Sequence, residues 1–215
     1  MKIAILGSTG FVGRVLLARA LKDGHQVRTL VRNPDKLGEF RDRVELVKGD
    51  VFEIDRVEET VRGAQVLLST VPPEAHARDP QRYAKLMEEL LAVLKRNSVR
   101  RFIHIGGAAH GGGEGEAWSA GRRFLRGFLK VVYRQGLVAK QLEWEALRKS
   151  DLDWTLVRPP RIASGRRTGT VLADERKLAG LWIDVDDLVD FMLKQISSDE
   201  WVRRAPLVAS GRKPG

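Results

Sequence analysis

The feature that most constrains this 215-residue chain is a glycine turn near its N-terminus. Gly7, Gly10 and Gly13 have the spacing G-x-x-G-x-x-G and directly follow a short apolar run, Lys2–Leu6. Apolar residues at helical spacing then continue over 11–21. A strand, a glycine turn and a helix in this order are typical of the first half of a dinucleotide-binding βαβ unit.

Each glycine of the turn has its own physical role. Gly7 permits a tight turn after the strand, Gly10 lets the backbone approach a pyrophosphate, and Gly13 lets the helix pack closely on the strand. Amides at the helix start, together with the helix dipole, favour a negatively charged ligand. The alternative is a structural turn without a ligand. The predicted cofactor contacts of the turn are Gly7, Ser8, Thr9, Gly10, Phe11, Val12 and Gly13.

The end of the second predicted strand, Gln26–Val31, bears on the choice of cofactor. A carboxylate about 20 residues after the glycines normally holds a ribose 2′-hydroxyl, and an arginine holds a 2′-phosphate. Here Arg32 and Asn33 follow the strand, and Lys36 comes shortly afterwards. A guanidinium makes forked contacts to phosphate. The sequence therefore favours NADP(H) over NAD(H), although Arg32 is also compatible with an ordinary surface arginine.

The next two predicted strands end in further candidate cofactor residues. Asp50 and Val51 follow the third strand, and Thr70 and Val71 end the fourth. Ligands of this fold bind at the carboxyl ends of the strands. Asp50 could accept a hydrogen bond from the adenine amino group or serve as a turn or N-cap residue, and the two roles are compatible.

The remaining pattern predicts an α/β fold, a Rossmann-like, doubly wound and mostly parallel sheet with helices on both faces. We expect one domain over 1–209, with substrate-side segments at 106–135 and 158–183 and a disordered tail at 210–215. The predicted helices cover 33–40, 54–62, 79–97, 118–135, 137–149 and 184–196, and the later strands cover 101–105, 153–157 and 205–209. A small hairpin or extended loop is predicted over 165–172, and 106–115 is predicted to be a mobile glycine-rich loop.

Composition narrows the functional classes. The net charge is +10, but the sequence contains no recognition-helix motif, so nucleic acid is an unfavoured partner. With no cysteine, the chain has no disulfide, thiolate nucleophile or zinc–sulfur site, and no metal site is predicted. No apolar run reaches the length of a membrane span, and the N-terminus is interpreted as a strand rather than a signal peptide, so a cytoplasmic protein is expected.

Several segments together resemble the atypical short-chain dehydrogenase/reductase superfamily: GSTGFVG, LVRNP, VKGDV, SDLDWTLVRPPRI and IDVDDLVDFML. Within it the chain is similar to the NAD(P)H-binding group that includes flavin/biliverdin reductases and NmrA-type redox sensors. The resemblance implies a Rossmann-like fold, with Arg32 at the 2′-phosphate and Asp50 and Val51 near the adenine. It also implies that Gly106, Gly107 and the Arg158-Pro159 segment line the nicotinamide and substrate side.

The chain departs from this superfamily where carbonyl chemistry is performed. Most active members have a Ser or Thr after strand five and a Tyr-x-x-x-Lys pair on the next helix. Here Gly106, Gly107 and Ala108 follow the strand, and Tyr133 has leucine four residues later. Lys140 is seven residues from Tyr133, and Gly136 is expected to interrupt the helix between them. His110 in the glycine-rich loop is the remaining weak candidate for a general acid.

Two functional hypotheses follow. Hydride transfer to a flavin (FMN or FAD), a quinone or another small planar acceptor needs no tyrosine–lysine pair, because the protein mainly positions two flat rings. The alternative is a non-catalytic NADP(H)-binding sensor or assembly factor. In that case the basic amphipathic segment 118–135 would form the surface for a protein partner or a second copy of the chain.

Overall fold

The computed structural model describes residues 1–71, 79–108 and 134–211. Its centre is a six-stranded, all-parallel sheet in the order β3-β2-β1-β4-β5-β6, which confirms the Rossmann-like α/β prediction. The sheet strands are β1 Lys2–Leu6, β2 Gln26–Val31, β3 Glu45–Lys48, β4 Val66–Ser69, β5 Arg101–Ile105 and β6 Asp153–Val157. The α-helices are α1 Phe11–Lys22, α2 Ile54–Val61, α3 Pro80–Arg96, α4 Arg134–Lys149 and α5 Val185–Lys194.

Two hydrophobic layers enclose the sheet, because side chains alternate between the faces of each strand. One layer joins Ile3 and Ile5 to α1 and α5. The opposite layer joins Leu6 and Phe102 to α2, α3 and α4. In the described residues no helix combines the length and apolar character needed to cross a membrane.

The short helix predicted after β2 is a 3₁₀ helix, Pro34–Arg43, which is kinked where Gly38 has a φ of 57°. One local prediction was wrong. Gly136 does not interrupt the later helix but lies buried inside α4. Packing of α4 on α3 and the sheet compensates for the helix propensity that glycine lacks. The rest of the predicted amphipathic helix, 118–133, lies outside the described residues.

The C-terminal region forms two small two-stranded sheets. Of the two alternatives predicted over 165–172, the structure has the extended loop up to Thr170 and no hairpin, and β8 Val171–Asp174 then pairs antiparallel with β10 Leu207–Ser210. Likewise β7 Arg161–Ala163 pairs parallel with β9 Trp182–Asp184. The predicted disordered tail begins too early. Ser210 belongs to β10, and the Gly211 amide donates a hydrogen bond to the Thr170 carbonyl at 2.8 Å. Residues 212–215 lie outside the described part.

A buried carboxylate fastens the loop before β8 to the start of α5. Asp187 accepts hydrogen bonds from the backbone amides of Thr168 (3.0 Å) and Gly169 (2.9 Å) and from the hydroxyls of Thr168 (2.9 Å) and Ser210 (2.6 Å). Burial raises the pKa of the Asp187 carboxyl, but the hydrogen bonds from Ser210, Thr168 and Gly169 outweigh it, so the pKa lies below its ordinary value. The charged carboxylate therefore stabilises this part of the fold.

Replacing Asp187 with asparagine should lower the free energy of unfolding by about 2 kcal/mol at pH 7, because a carboxylate that accepts several hydrogen bonds is lost. Since the folded-state pKa is depressed, this stabilisation is fully present above the unfolded value of about 4 and is lost as the pH falls through the folded-state pKa. Urea titrations at pH 7, 5 and 3 would measure it. The exposed Asp199→Asn variant is the control. A deficit as large at pH 3 as at pH 7 would contradict the assignment.

Candidate functional site

The glycine turn connects β1 to α1 at the carboxyl edge of the sheet. Gly7 has a φ of 86°, in the left-handed region that favours glycine. The Gly10 amide donates to the Gly7 carbonyl at 3.0 Å, and α1 begins at Phe11, whose side chain is exposed. The first amides of α1 therefore lie at the edge where parallel sheets of this kind bind nucleotides.

The turn is too tight for larger residues at two positions. A Cβ at Gly13 would lie 2.0 Å from the Gly7 carbonyl oxygen and 2.9 Å from the Ser8 Cα. A Cβ at Gly7 would lie 2.6 Å from the Thr70 Oγ1. At Gly10 the nearest atom would be the Gly7 oxygen, at 3.3 Å. Close helix–strand packing at Gly13 and a bare backbone at Gly10 are the features that a pyrophosphate-binding turn requires, so the residues present fit the dinucleotide that the motif implies.

Two neighbouring strands hold the turn in place. The Ser8 hydroxyl is buried and lies 2.7 Å from the hydroxyl of Thr29 on β2. The same Thr29 hydroxyl donates to the Ile5 carbonyl at 2.9 Å. Directly after β4, the Thr70 amide donates to the Leu6 carbonyl at 2.9 Å, and the Thr70 hydroxyl donates to the Gly7 carbonyl at 3.1 Å. Ser8 and Thr70 thus support the turn itself. This gives both residues a structural role beside the cofactor contact predicted for them.

Arg32 and Asp50 meet beyond the ends of β2 and β3. The Arg32 Nε lies 3.8 Å from Asp50 Oδ2, and the arginine side chain is 81% exposed. An exposed pair at this distance is weak, so the guanidinium remains available to an anionic ligand. Asp50 Oδ1 accepts from the Phe52 amide at 3.1 Å, which is the turn role considered for it. Lys36 lies exposed in the 3₁₀ segment, where its carbonyl accepts from Arg14 at 3.1 Å.

The ends of β5 and β6 form the opposite side of the site. The Gly106 amide donates to the Val157 carbonyl at 2.8 Å, and the Ala108 amide donates to the Pro159 carbonyl at 2.9 Å. Gly107 therefore lies on a backbone held against the segment after β6. Arg158, which the resemblance placed at the substrate side, points inward: it is fully buried, and its Nε donates to the Ala205 carbonyl at 2.7 Å.

Of the three catalytic candidates, the structure describes only Lys140. His110 and Tyr133 lie outside the described residues. Lys140 is buried on α4, where the helix is continuous through Gly136. Because residues four apart share a helix face, the position that pairs with Lys140 in Tyr-x-x-x-Lys is Gly136, which has no phenol.

A buried polar cluster, which we call the His104 cluster, was missed by sequence reasoning. It consists of Tyr83 on α3, His104 on β5 and Glu143 on α4. Glu143 Oε1 lies 2.7 Å from both the Tyr83 hydroxyl, which donates to it, and His104 Nε2, and the tyrosine oxygen lies 3.5 Å from that nitrogen. None of the three residues is more than 2% exposed. The available signal was a histidine in an otherwise apolar strand, RFIHI.

A cleft connects this cluster with the predicted cofactor residues. Its lining includes Leu6, Ser69, Val71, Tyr83 and His104, and it extends to Val51 beyond β3. Leu6 and Ser69 are the last residues of β1 and β4, and Ser69 is paired in register with His104, the last residue but one of β5. The cleft therefore runs beneath the edge that carries the glycine turn. No group of three or more His, Cys, Asp or Glu side chains that could hold a metal occurs in the parts of the chain described.

The fold and the glycine turn define a nucleotide-binding protein of the Rossmann type. The chain belongs to the NAD(P)H-binding family, whose sequence model matches residues 7–199. Among curated proteins it is 27% identical over 176 residues to YwnB of Bacillus subtilis, covering 79% of this chain and 78% of YwnB. It is 31% identical over 106 residues to the photosystem II assembly factor Ycf39 of Cyanophora paradoxa, covering 48% of this chain and 33% of Ycf39.

Solved structures share the architecture over nearly the whole chain. A short-chain dehydrogenase/reductase from Veillonella parvula in complex with NADP superposes with a TM-score of 0.79 at 18% identity, covering 99% of this chain and 95% of that one. The anaerobillin reductase ChuY from Escherichia coli O157:H7 also gives a TM-score of 0.79 at 18% identity and covers both chains completely, at 100% each. At these identities the likeness establishes the fold, and it agrees with the resemblance to atypical short-chain dehydrogenases/reductases.

Proposed function

We propose that this protein is an NADP(H)-dependent oxidoreductase that reduces a flavin, a quinone or a similar planar acceptor by hydride transfer. In this proposal the amides of the turn at 7–13 bind the pyrophosphate and Arg32, with Lys36, binds the 2′-phosphate. Asp50 and Val51 contact the adenine, and Thr70 and Val71 lie toward the ribose. Bound NADPH would supply the hydride, and Gly106, Gly107 and Pro159 would border the nicotinamide.

The observation that carries the proposal is that glycine, Gly136, occupies the position on α4 where a Tyr-x-x-x-Lys motif ending in Lys140 would have its tyrosine. Reduction of a simple carbonyl needs an acid beside the oxygen that becomes negatively charged, and a phenol next to a lysine provides it. This helix has the buried lysine without the phenol, and Gly106, Gly107 and Ala108 provide no hydroxyl after β5. An electron-poor ring is a better hydride acceptor and depends more on positioning than on a strong acid.

The comparisons give further support to this reading. The neighbour ChuY is named as an anaerobillin reductase, and the Veillonella parvula neighbour was solved with NADP. Both are consistent with a reductase that uses NADPH on this scaffold, and neither identifies the acceptor of this chain.

The test is NADPH oxidation at neutral pH with and without FMN or a benzoquinone, together with NADPH and NADH affinities by calorimetry. We expect tight NADPH binding and oxidation that depends on both protein and acceptor. Since Gly13 is required for the turn, a Gly13→Ala preparation serves as the background control. Tight NADPH binding without turnover on any flavin or quinone would reject the reductase proposal.

A second candidate function is a non-catalytic NADP(H)-binding sensor or assembly factor. It is favoured by the match to Ycf39, named as a photosystem II assembly factor, although the matched region is only a third of that protein. The missing phenol at Gly136 is equally compatible with it. In the assay above, this function predicts NADPH binding with no acceptor-dependent oxidation.

A further inference from the structure

We propose that Arg161 and Trp182 form a subsite for a planar acceptor that carries an acidic group. The indole stacks on the flat ring, and the guanidinium binds a phosphate, sulfonate or carboxylate of the same molecule. The inference rests on the proposed reductase function and deepens it, because it names the class of acceptor. The two residues begin the short strands β7 and β9, which follow β6 on the predicted substrate side.

The pairing of β7 with β9 places the two side chains on one face. Arg161 is in register with Trp182, and Ile162 is in register with Ile183. Successive side chains of a strand point to opposite faces. Ile162 and Ile183 pack into the hydrophobic layer that contains α1 and α5, so Arg161 and Trp182 lie on the face turned away from that layer.

Both side chains are accessible to a ligand. Arg161 is exposed and makes no hydrogen bond or ion pair through its side chain with any described residue. Trp182 is half-buried but belongs to neither hydrophobic layer of the described structure. Its neighbour Leu181 is 82% exposed. An indole that the core does not use, next to an exposed apolar side chain, offers a surface on which a flat ring can stack.

The charge of the surrounding segment favours an anion. Residues 158–183 include six Arg or Lys and two carboxylates, Asp174 and Glu175. Asp174 accepts from the amides of residues 176 and 177, and Glu175 lies 3.7 Å from Arg204. Four exposed cations of the segment have no ion-pair partner among the described residues: Arg161, Arg166, Arg176 and Lys177. The resulting positive potential attracts an acidic ligand.

A backbone hydrogen bond connects the subsite to the predicted nicotinamide side. The Ala108 amide, one residue after Gly107, donates to the Pro159 carbonyl at 2.9 Å. Arg161 is two residues after Pro159, so their Cα atoms are at most about 7 Å apart. An acceptor of two or three fused rings can therefore lie against the nicotinamide while its acidic group reaches Arg161.

The test is calorimetry on the full-length protein loaded with NADP⁺, which has no hydride to transfer. Two matched pairs of acceptors are titrated. FMN and riboflavin differ in a phosphate on the side chain, and a naphthoquinone sulfonate and its parent naphthoquinone differ in an acid on the ring. The chain has no cysteine that would react with the quinones.

Arg161→Gln should weaken binding of the acidic member of a pair about tenfold, because a charge-assisted contact is lost. The neutral member and NADP⁺ should change by less than about twofold. Trp182→Leu should weaken both members about fivefold, because the stacking surface serves the ring that they share. Arg62→Gln is the matched control, since this exposed arginine at the C-terminal end of α2 lies at the opposite edge of the sheet. It should leave every affinity within about twofold.

Each outcome decides the inference. A loss in Arg161→Gln that is confined to the acidic flavin or to the acidic quinone supports it and identifies where the acidic group sits. Equal losses within both pairs, or none, overturn it, and so does an unmodified NADP⁺ complex that binds none of the four compounds. If Trp182→Leu does not fold, the exposed Arg161 variant decides alone.

NADPH oxidation by the unmodified protein separates this inference from the proposed function. Oxidation with FMN and riboflavin at the same kcat/KM, unchanged in Arg161→Gln, would overturn the subsite and leave the reductase function in place. Selective binding of the acidic compounds without any NADPH oxidation would reject the reductase function and leave a binding site for acidic planar ligands.

Discussion

Replacing Gly13 with alanine is expected to weaken NADPH binding about a hundredfold, because the turn must move to admit one methyl group. The added Cβ would lie 2.0 Å from the Gly7 carbonyl oxygen and 2.7 Å from its carbon, so the conflict is with backbone rather than with a flexible side chain. Forced rearrangement of a packed site costs about 1–3 kcal/mol, which corresponds to roughly fivefold to 150-fold in affinity. Calorimetric titration of NADPH would measure it.

Gly24→Ala is the matched control. Gly24 also has a positive φ, 80°, and an added Cβ there would meet no atom within 4 Å. The left-handed conformation costs about 1–2 kcal/mol of stability for alanine, but the glycine turn is untouched. We therefore expect a lower melting temperature with unchanged NADPH affinity. A Gly13→Ala protein that binds NADPH as tightly as the unmodified chain would reject the turn as the pyrophosphate site.

Replacing Arg32 with glutamate should reverse the preference between the two dinucleotides. If Arg32 holds the 2′-phosphate, the variant loses charge-assisted hydrogen bonds worth about 1.5–3 kcal/mol, which raises the NADPH dissociation constant roughly tenfold to a hundredfold. Glutamate repels that phosphate, but it can accept a hydrogen bond from the 2′-hydroxyl of NADH. NADH affinity should therefore stay the same or improve. Parallel calorimetric titrations with the two dinucleotides give the ratio.

Arg41→Glu controls for the change in net charge. Arg41 lies in the same 3₁₀ segment as Lys36, and its Nη1 is 2.9 Å from Asp35 Oδ1. This variant should weaken NADPH binding by less than about threefold, since exposed charges act weakly at physiological salt. Equal losses of NADPH and NADH affinity in Arg32→Glu would sink the 2′-phosphate assignment.

The central sheet was predictable because its signals are local. Each strand buried on both faces is a short apolar run, and β5 and β6 were predicted with their observed bounds. The helix start at Asp79 and Pro80 was also predicted correctly, since Asp79 caps α3 by accepting from the Arg82 amide at 3.0 Å. Local preference failed at Gly136, where tertiary packing maintains a helix that glycine alone would weaken.

The sequence by itself determined the βαβ start, the α/β class and the candidate dinucleotide residues, because these depend on neighbours within one turn or strand. Only the tertiary structure decided that β8 pairs with β10 and that Tyr83, His104 and Glu143 share one site. Those three residues are 21 and 39 positions apart along the chain. These residues come into contact because α3 and α4 pack against β5, and that packing cannot be predicted from the residues of any one strand or helix.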